Sequence, residues 1–277
     1  MAKVPDLATR FSTMEKRRRV RRVLFWFVLL ALIAGGLGWG TNTIVRWERF
    51  EVREVAVEGV RRVSREDVLA MITQKEIQGS ALRAWLGEKN FLAWPTNISG
   101  DSLRSLPLLR AVTIHADYDA HRIVVRVEER NPFGIFCGYT HGVTENSNTP
   151  QCLWFDEEGV LLGDAFQAEG SLIPVLIQNV PVLPRVGTQV AIPEFMKNIL
   201  AIFQVVRDGG VDVKVVELRD PALQEVSVAT YEGPALYFSI RTYPEGAASL
   251  LRSLKANGAF RRLEYVDFRV VNRAYYK

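Results

Sequence analysis

Polar and apolar positions divide the chain sharply at Val23. From Val23 to Val45 run 23 residues without one charged side chain. As a helix rising ~1.5 Å per residue, the stretch would be ~34 Å long, enough to cross a ~30 Å hydrocarbon layer. Core helices are rarely so uniformly apolar for so long, so the expectation is a single transmembrane helix over 23–45. A cleaved signal peptide would carry a shorter apolar run, about 7–15 residues, and a small-x-small cleavage site. Trp47 and Phe50 follow here instead. Inside the stretch, Gly36 and Gly40 have the spacing that lets membrane helices approach closely, although Gly35 and Gly38 blur that face.

Beyond Val45 the rhythm changes. Val52–Val57 alternates apolar and charged residues and predicts a strand ending at Gly59. Ser64 is placed to cap a helix whose inner face is Val68, Leu69, Met71 and Ile72. Asp101–Leu106 predicts a short helix stopped by Pro107. Period-two runs at Arg110–Tyr118 and His121–Arg130 then predict a hairpin turning at Asp117–Ala120. Short strands follow at Phe133–Phe136 and Leu153–Phe155. Further on, Pro193–Asp208 reads as a helix with Phe195, Ile199, Ile202, Phe203 and Val206 on one face, ended by Gly209-Gly210. Strands are expected at Val213–Leu218, Glu225–Tyr231 and Leu236–Arg241, a helix at Glu245–Ala256, and a last strand at Tyr265–Val271. Residues 1–15 lack periodicity and are expected to be disordered.

Charge orients the apolar stretch. The net charge of +4 says little, but Lys16, Arg17, Arg18, Arg19, Arg21 and Arg22 crowd six cations into seven positions just ahead of Val23. Positive residues beside a membrane segment stay in the cytoplasm, which would put the bulk of the chain outside it. A nucleic-acid patch would also be basic, but topology and anionic headgroups account for a cluster placed here. Both cysteines, Cys137 and Cys152, lie beyond the stretch, where disulfides persist. They flank a polar segment between two short strands and read as a disulfide stapling its mouth; two buried thiols are the alternative.

Several segments together carry a resemblance. Val57-Glu58-Gly59-Val60 closes the first strand, Ser105-Leu106-Pro107 precedes the second, and Val127-Glu128-Glu129-Arg130-Asn131-Pro132 follows the third. With the order strand, helix, helix, strand, strand, this resembles a POTRA domain. A POTRA domain after a signal-anchor segment is similar to the FtsQ/DivIB family of bacterial cell-division proteins. Leu153-Trp154-Phe155-Asp156-Glu157-Glu158-Gly159-Val160-Leu161, Ile173-Pro174-Val175-Leu176 and Tyr265-Val266-Asp267-Phe268-Arg269 extend the likeness downstream. Leu108 stands where the family often has an aromatic residue, and the cysteine-flanked loop resembles an insertion. The resemblance implies an α+β architecture: a basic cytoplasmic tail (1–22), one transmembrane helix (23–45), a POTRA domain of β-α-α-β-β order (50–131), and a mostly antiparallel β domain with two helices (132–277), its cysteine-flanked loop at 137–152.

Catalytic signatures are missing from the sequence. It has no Gly-x-Ser-x-Gly, no His-Glu-x-x-His and no phosphate-cradling Gly-x-x-x-x-Gly-Lys. His115, Asp117, Asp119 and His121 could converge as metal ligands, but a solvated hairpin tip explains them as well. The expectation is therefore no catalytic residue, no metal and no cofactor. A sheet-rich chain without chemistry works by binding, and sheet edges capture partner strands. The resemblance implies a bitopic divisome scaffold that binds FtsB- and FtsL-like membrane-anchored division proteins and recruits them to the septum, where it helps regulate peptidoglycan synthesis. The implied docking residues are Tyr265, Val266, Asp267, Phe268, Arg269, Val270 and Val271, with Tyr275 and Tyr276 as looser counterparts. A POTRA-bearing envelope assembly or secretion component is the alternative.

Overall fold

The computed structural model describes residues 7–45, 47–139, 150–168, 172–180, 182, 184–220 and 223–277; the side chains of 7–23, Thr41, Ile44 and Asp220 are not described. The chain is α+β, with one three-stranded and one nine-stranded sheet. It divides into two compact units, one gathering Met1–Ala56, Ile77–Pro95 and Ile114–Val124, the other Val57–Glu76, Thr96–Thr113 and Val125–Lys277.

The expected transmembrane helix is corrected. Helix α1 (Leu7–Val45) starts well ahead of Val23 and runs through the positions of Lys16, Arg17, Arg18, Arg19, Arg21 and Arg22, so part of the segment expected to be disordered is helical. Among the described residues no helix is long and apolar enough to cross a membrane. The Asn90 amide donates to the Val45 carbonyl at 2.7 Å and fixes the end of α1.

The three-stranded sheet holds β1 (Glu54–Glu58), β2 (Leu109–Asp117) and β3 (Arg122–Glu129) in the order β1-β3-β2. Helix α2 (Arg65–Met71) begins as its sequence predicts, with the Ser64 hydroxyl accepting from the Asp67 N–H; Val68, Met71 and Ile72 are buried. A further helix, α3 (Ala81–Leu86), has no counterpart in the expected pattern. Helix α4 (Gly100–Arg104) is capped by Ser99, whose hydroxyl also donates to the Glu76 carboxylate at 2.7 Å.

The last residue of β3 acts as a clamp. The Glu129 carboxylate accepts from the N–H groups of Arg61, Arg62 and Val63 at 2.7, 3.0 and 3.1 Å, closing the turn after β1. Burial pushes this carboxyl up, but the three N–H groups outweigh it and hold the pKa below the ordinary value. A depressed folded-state pKa gives stability that is present above the unfolded value, ~4.3, and is lost as pH falls through the folded one. Glu129→Gln is therefore expected to cost roughly 1–2 kcal/mol at pH 7 and to flatten the acid limb of a urea-unfolding series. An unchanged acid limb would remove Glu129 from that role.

The second sheet is ordered β12-β11-β10-β9-β8-β7-β4-β5-β6. Its strands are β4 (Pro132–Tyr139), β5 (Gln151–Asp156), β6 (Leu161–Asp164), β7 (Val175–Asn179), β8 (Val213–Asp220), β9 (Glu225–Thr230), β10 (Ala235–Ser239), β11 (Tyr265–Asp267) and β12 (Tyr275–Tyr276). The sheet is mixed: its pairings are mostly antiparallel, as expected from sequence, but three are parallel. Two helices cause this. Helix α5 (Pro193–Asp208) crosses between β7 and β8, and α6 (Ala247–Ala256) between β10 and β11; a strand reached through a helix returns parallel. β4 and β7 are also parallel.

The main core lies between this sheet and its helices. Ile199, Ile202, Phe203 and Val206 of α5 and Leu251 and Leu254 of α6 pack with Phe136, Phe155, Leu176, Val228, Phe238 and Val266. A Cβ on Gly209 would sit 2.8 Å from the Leu251 Cβ, so glycine there permits the close approach of the two helices. A smaller cluster on alternate residues joins Ile135, Val175 and the bonded pair Cys137–Cys152, whose Cα atoms are 4.1 Å apart. Residues 140–149 of the cysteine-flanked loop lie outside the described residues.

Candidate docking edge

The sequence-derived docking residues fall at one end of the nine-stranded sheet, as two elements joined by a turn. The expected strand over Tyr265–Val271 ends at Asp267. Local chemistry stops it. The Asp267 carboxylate accepts from the Arg269 N–H at 2.9 Å and from the Arg269 guanidinium at 2.6 Å, a short-range pairing that competes with a sheet ladder. Val270 and Val271 then enter a turn closed by Arg273 N–H to Val270 C=O at 3.2 Å. Asn272 holds the left-handed conformation there, φ +58°, which asparagine tolerates better than most residues. Tyr275 and Tyr276 form β12, the outermost strand, antiparallel to β11.

β11 is short but firmly seated. It pairs parallel to β10, placing Asp267 beside Tyr237. Val266 is completely buried, and Phe268 stacks on Phe238 with ring centroids 5.0 Å apart and planes 12° off parallel. On the opposite face Tyr265, Asp267 and Arg269 gather around Tyr237. The Tyr265 ring is 6.2 Å from that of Tyr237, and the Arg269 and Arg219 guanidinium carbons are 5.5 and 5.9 Å from its centroid. Arg269 also reaches Glu225 at 2.9 Å. Its hydrogen bond to Asp267 raises the Arg269 pKa and holds the Asp267 carboxyl below the usual carboxylate range. Sequence reasoning missed Tyr237, Arg219 and Glu225. The period-two rhythm of their strands was visible, but not the register that stacks them.

The ladder also fixes which groups stay open. Lys277 N–H donates to Tyr265 C=O at 3.4 Å, and Lys277 C=O accepts from Glu264 N–H at 2.6 Å. Residues of an antiparallel strand face the neighbour and the open side by turns. Tyr276 therefore turns its N–H and C=O outward, toward no strand of this sheet. This backbone arrangement can pair with an added strand.

Two of the hairpin residues weighed as metal ligands, Asp117 and His121, have local partners. Asp117 accepts the Ala120 N–H at 3.0 Å, and His121 Nδ1 lies 2.9 Å from the Glu51 carbonyl. No protein-family model matches the chain, and no curated protein sequence matches it.

Proposed function

We propose that this protein is a non-enzymatic scaffold of the bacterial division machinery. It captures FtsB- and FtsL-like membrane-anchored partners at the β11–β12 end of its nine-stranded sheet and so helps assemble and regulate septal peptidoglycan synthesis. The observation that carries the reading is the sheet end itself: a two-residue outer strand with open backbone groups, beside a rigid aromatic and arginine cluster. Strand addition draws register and affinity from such backbone groups, while neighbouring side chains choose the partner. The folded region works outside the cytoplasm, in the compartment where the Cys137–Cys152 bond persists.

A photoreactive phenylalanine analogue at Tyr265 in the full chain is expected to crosslink to the FtsB- or FtsL-like partner in growing cells. The same analogue at exposed Leu82, in the other compact unit, is expected not to. Capture at Leu82 alone would move the docking surface, and a fluorescent fusion spread evenly over the envelope would favour an assembly component over a division scaffold.

A further inference from the structure

We propose that Trp47, Leu82, Trp85 and Leu92 form an apolar patch that docks onto a lipid surface at the depth of the headgroups and holds its compact unit there. The four side chains are 64%, 67%, 57% and 46% exposed, and all belong to the unit built from Met1–Ala56, Ile77–Pro95 and Ile114–Val124. Apolar residues exposed singly are ordinary; a group that includes two indoles marks a contact site. Local structure gathers them. Leu82 and Trp85 lie three positions apart on α3 and share one face. Gly87, at φ +78°, ends that helix, and the chain returns to the unit through a turn of 3-10 helix, Phe91–Ala93. Phe91 and Ala93 are buried there, the Phe91 ring 4.8 Å from that of Tyr118, which leaves Leu92 outside. Trp47 joins them through the backbone. Asn90 bonds the Val45 carbonyl and bridges to Glu51, and the Lys89 carbonyl accepts the Val52 N–H at 2.8 Å, so the two segments run side by side.

What covers the patch follows from its place and its charge. It adjoins the end of α1, where Phe25, Trp26, Phe27, Leu37 and Trp39 are 62–75% exposed. Phe25, Trp26 and Phe27 are consecutive, so they point to different sides of the helix. A helix apolar on every side needs an apolar medium around it. One medium that covers both α1 and the patch is extended and apolar, as a lipid layer is. None of this requires α1 to cross that layer. Around the patch the charges cancel: Glu48 stands beside Arg49 and Glu88 beside Lys89, all exposed. Attraction is therefore apolar rather than ionic. Indoles and leucines at headgroup depth, with charged neighbours left in water, are the composition of an interface-bound surface.

The test uses the full chain carrying one polarity-sensitive dye. Because Cys137 and Cys152 are bonded to each other, Leu82→Cys supplies a single reactive thiol. With vesicles of phosphatidylethanolamine and phosphatidylglycerol, the dye at Leu82→Cys is expected to shift to the blue, to be quenched by brominated acyl chains, and to stay quenched in high salt. The same dye at Tyr231→Cys, exposed in the other unit, is expected to remain unquenched. Leu82→Ser combined with Trp85→Ser is expected to leave the melting curve unchanged, since both side chains are exposed, and to lower quenching of a dye at Leu92→Cys several-fold. Absence of quenching at Leu82→Cys, equal quenching at Tyr231→Cys, or quenching at Leu92→Cys that ignores the double substitution overturns the lipid contact. Quenching lost in high salt makes the contact ionic and overturns it as well. Self-association in solution that the double substitution abolishes gives the patch to a second copy of the chain, with the same consequence.

Discussion

Replacing Arg130 with alanine is expected to lower the unfolding free energy by about 3 kcal/mol, near the low end of the range for breaking a buried ion pair. Arg130 Nη1 lies 2.6 Å from Asp156 and 2.7 Å from Glu158. Its side chain is 15% exposed and that of Asp156 only 7%, so the substitution strands a carboxylate with little access to water. The loss stays below the top of the range because Asp156 keeps the N–H groups of Glu158 and Val160, at 3.0 and 2.8 Å. Arg110 offers the contrast. It reaches Glu128 and Glu158 at 3.1 and 3.0 Å, but from an exposed side chain, so Arg110→Ala is expected to cost under about 1 kcal/mol. Acid sensitivity gives a second readout. The hydrogen bond from Arg130 is the chief cause of the depressed Glu158 pKa, so that contribution to stability is present above ~4.3 and lost as pH falls through the folded value. Without Arg130 the dependence on pH should shrink. Equal costs for the two arginines in chemical denaturation would put Arg130 among the surface pairs.

That clamp was half legible in the sequence. The runs Val127-Glu128-Glu129-Arg130 and Asp156-Glu157-Glu158-Gly159 stood out as motifs, and each has a local reason. Gly159 takes φ +76°, and a Cβ there would meet the Met196 sulfur at 2.9 Å. What no local pattern reveals is that the two motifs meet, because that depends on the pairing of β4 with β5. Elements with strong periodicity were read to within a few residues: α5 spans Pro193–Asp208 as expected, and β3 lies inside His121–Arg130. Which pairs run parallel was not legible, because period-two alternation is the same in either direction. The membrane-spanning reading of 23–45 weighed the uncharged run by itself, whereas among the described residues no helix is long and apolar enough to cross a membrane. At the docking edge, alternation described Tyr265–Arg269 correctly but carried on into Val270 and Val271, where Asn272 turns the chain. A turn-forming asparagine followed by Arg-Ala-Tyr-Tyr was the available signal for a separate strand.

Loss of the Cys137–Cys152 bond is expected to be about as costly as loss of Arg130, and to leave docking untouched. The two residues face each other directly in the β4–β5 register, both buried, fifteen positions apart in sequence. In the chain-entropy model a closed loop of that size is worth ~3 kcal/mol, because the link restricts the unfolded chain more than the folded one. For a chain of this size that corresponds to roughly 6–12 °C in Tm. Reducing the bond tests the link without altering packing; the Cys137→Ala, Cys152→Ala pair adds the loss of two sulfurs from the small Ile135–Val175 cluster and should cost somewhat more. Partner binding is expected to survive both, since β7, β8, β9 and β10 stand between β4 and β11. Mass mapping of the protein taken from cells under alkylation should recover the two cysteines linked. Free thiols there, or an unchanged Tm after reduction, would remove the bond from the native state and with it the chief support for placing the folded region outside the cytoplasm.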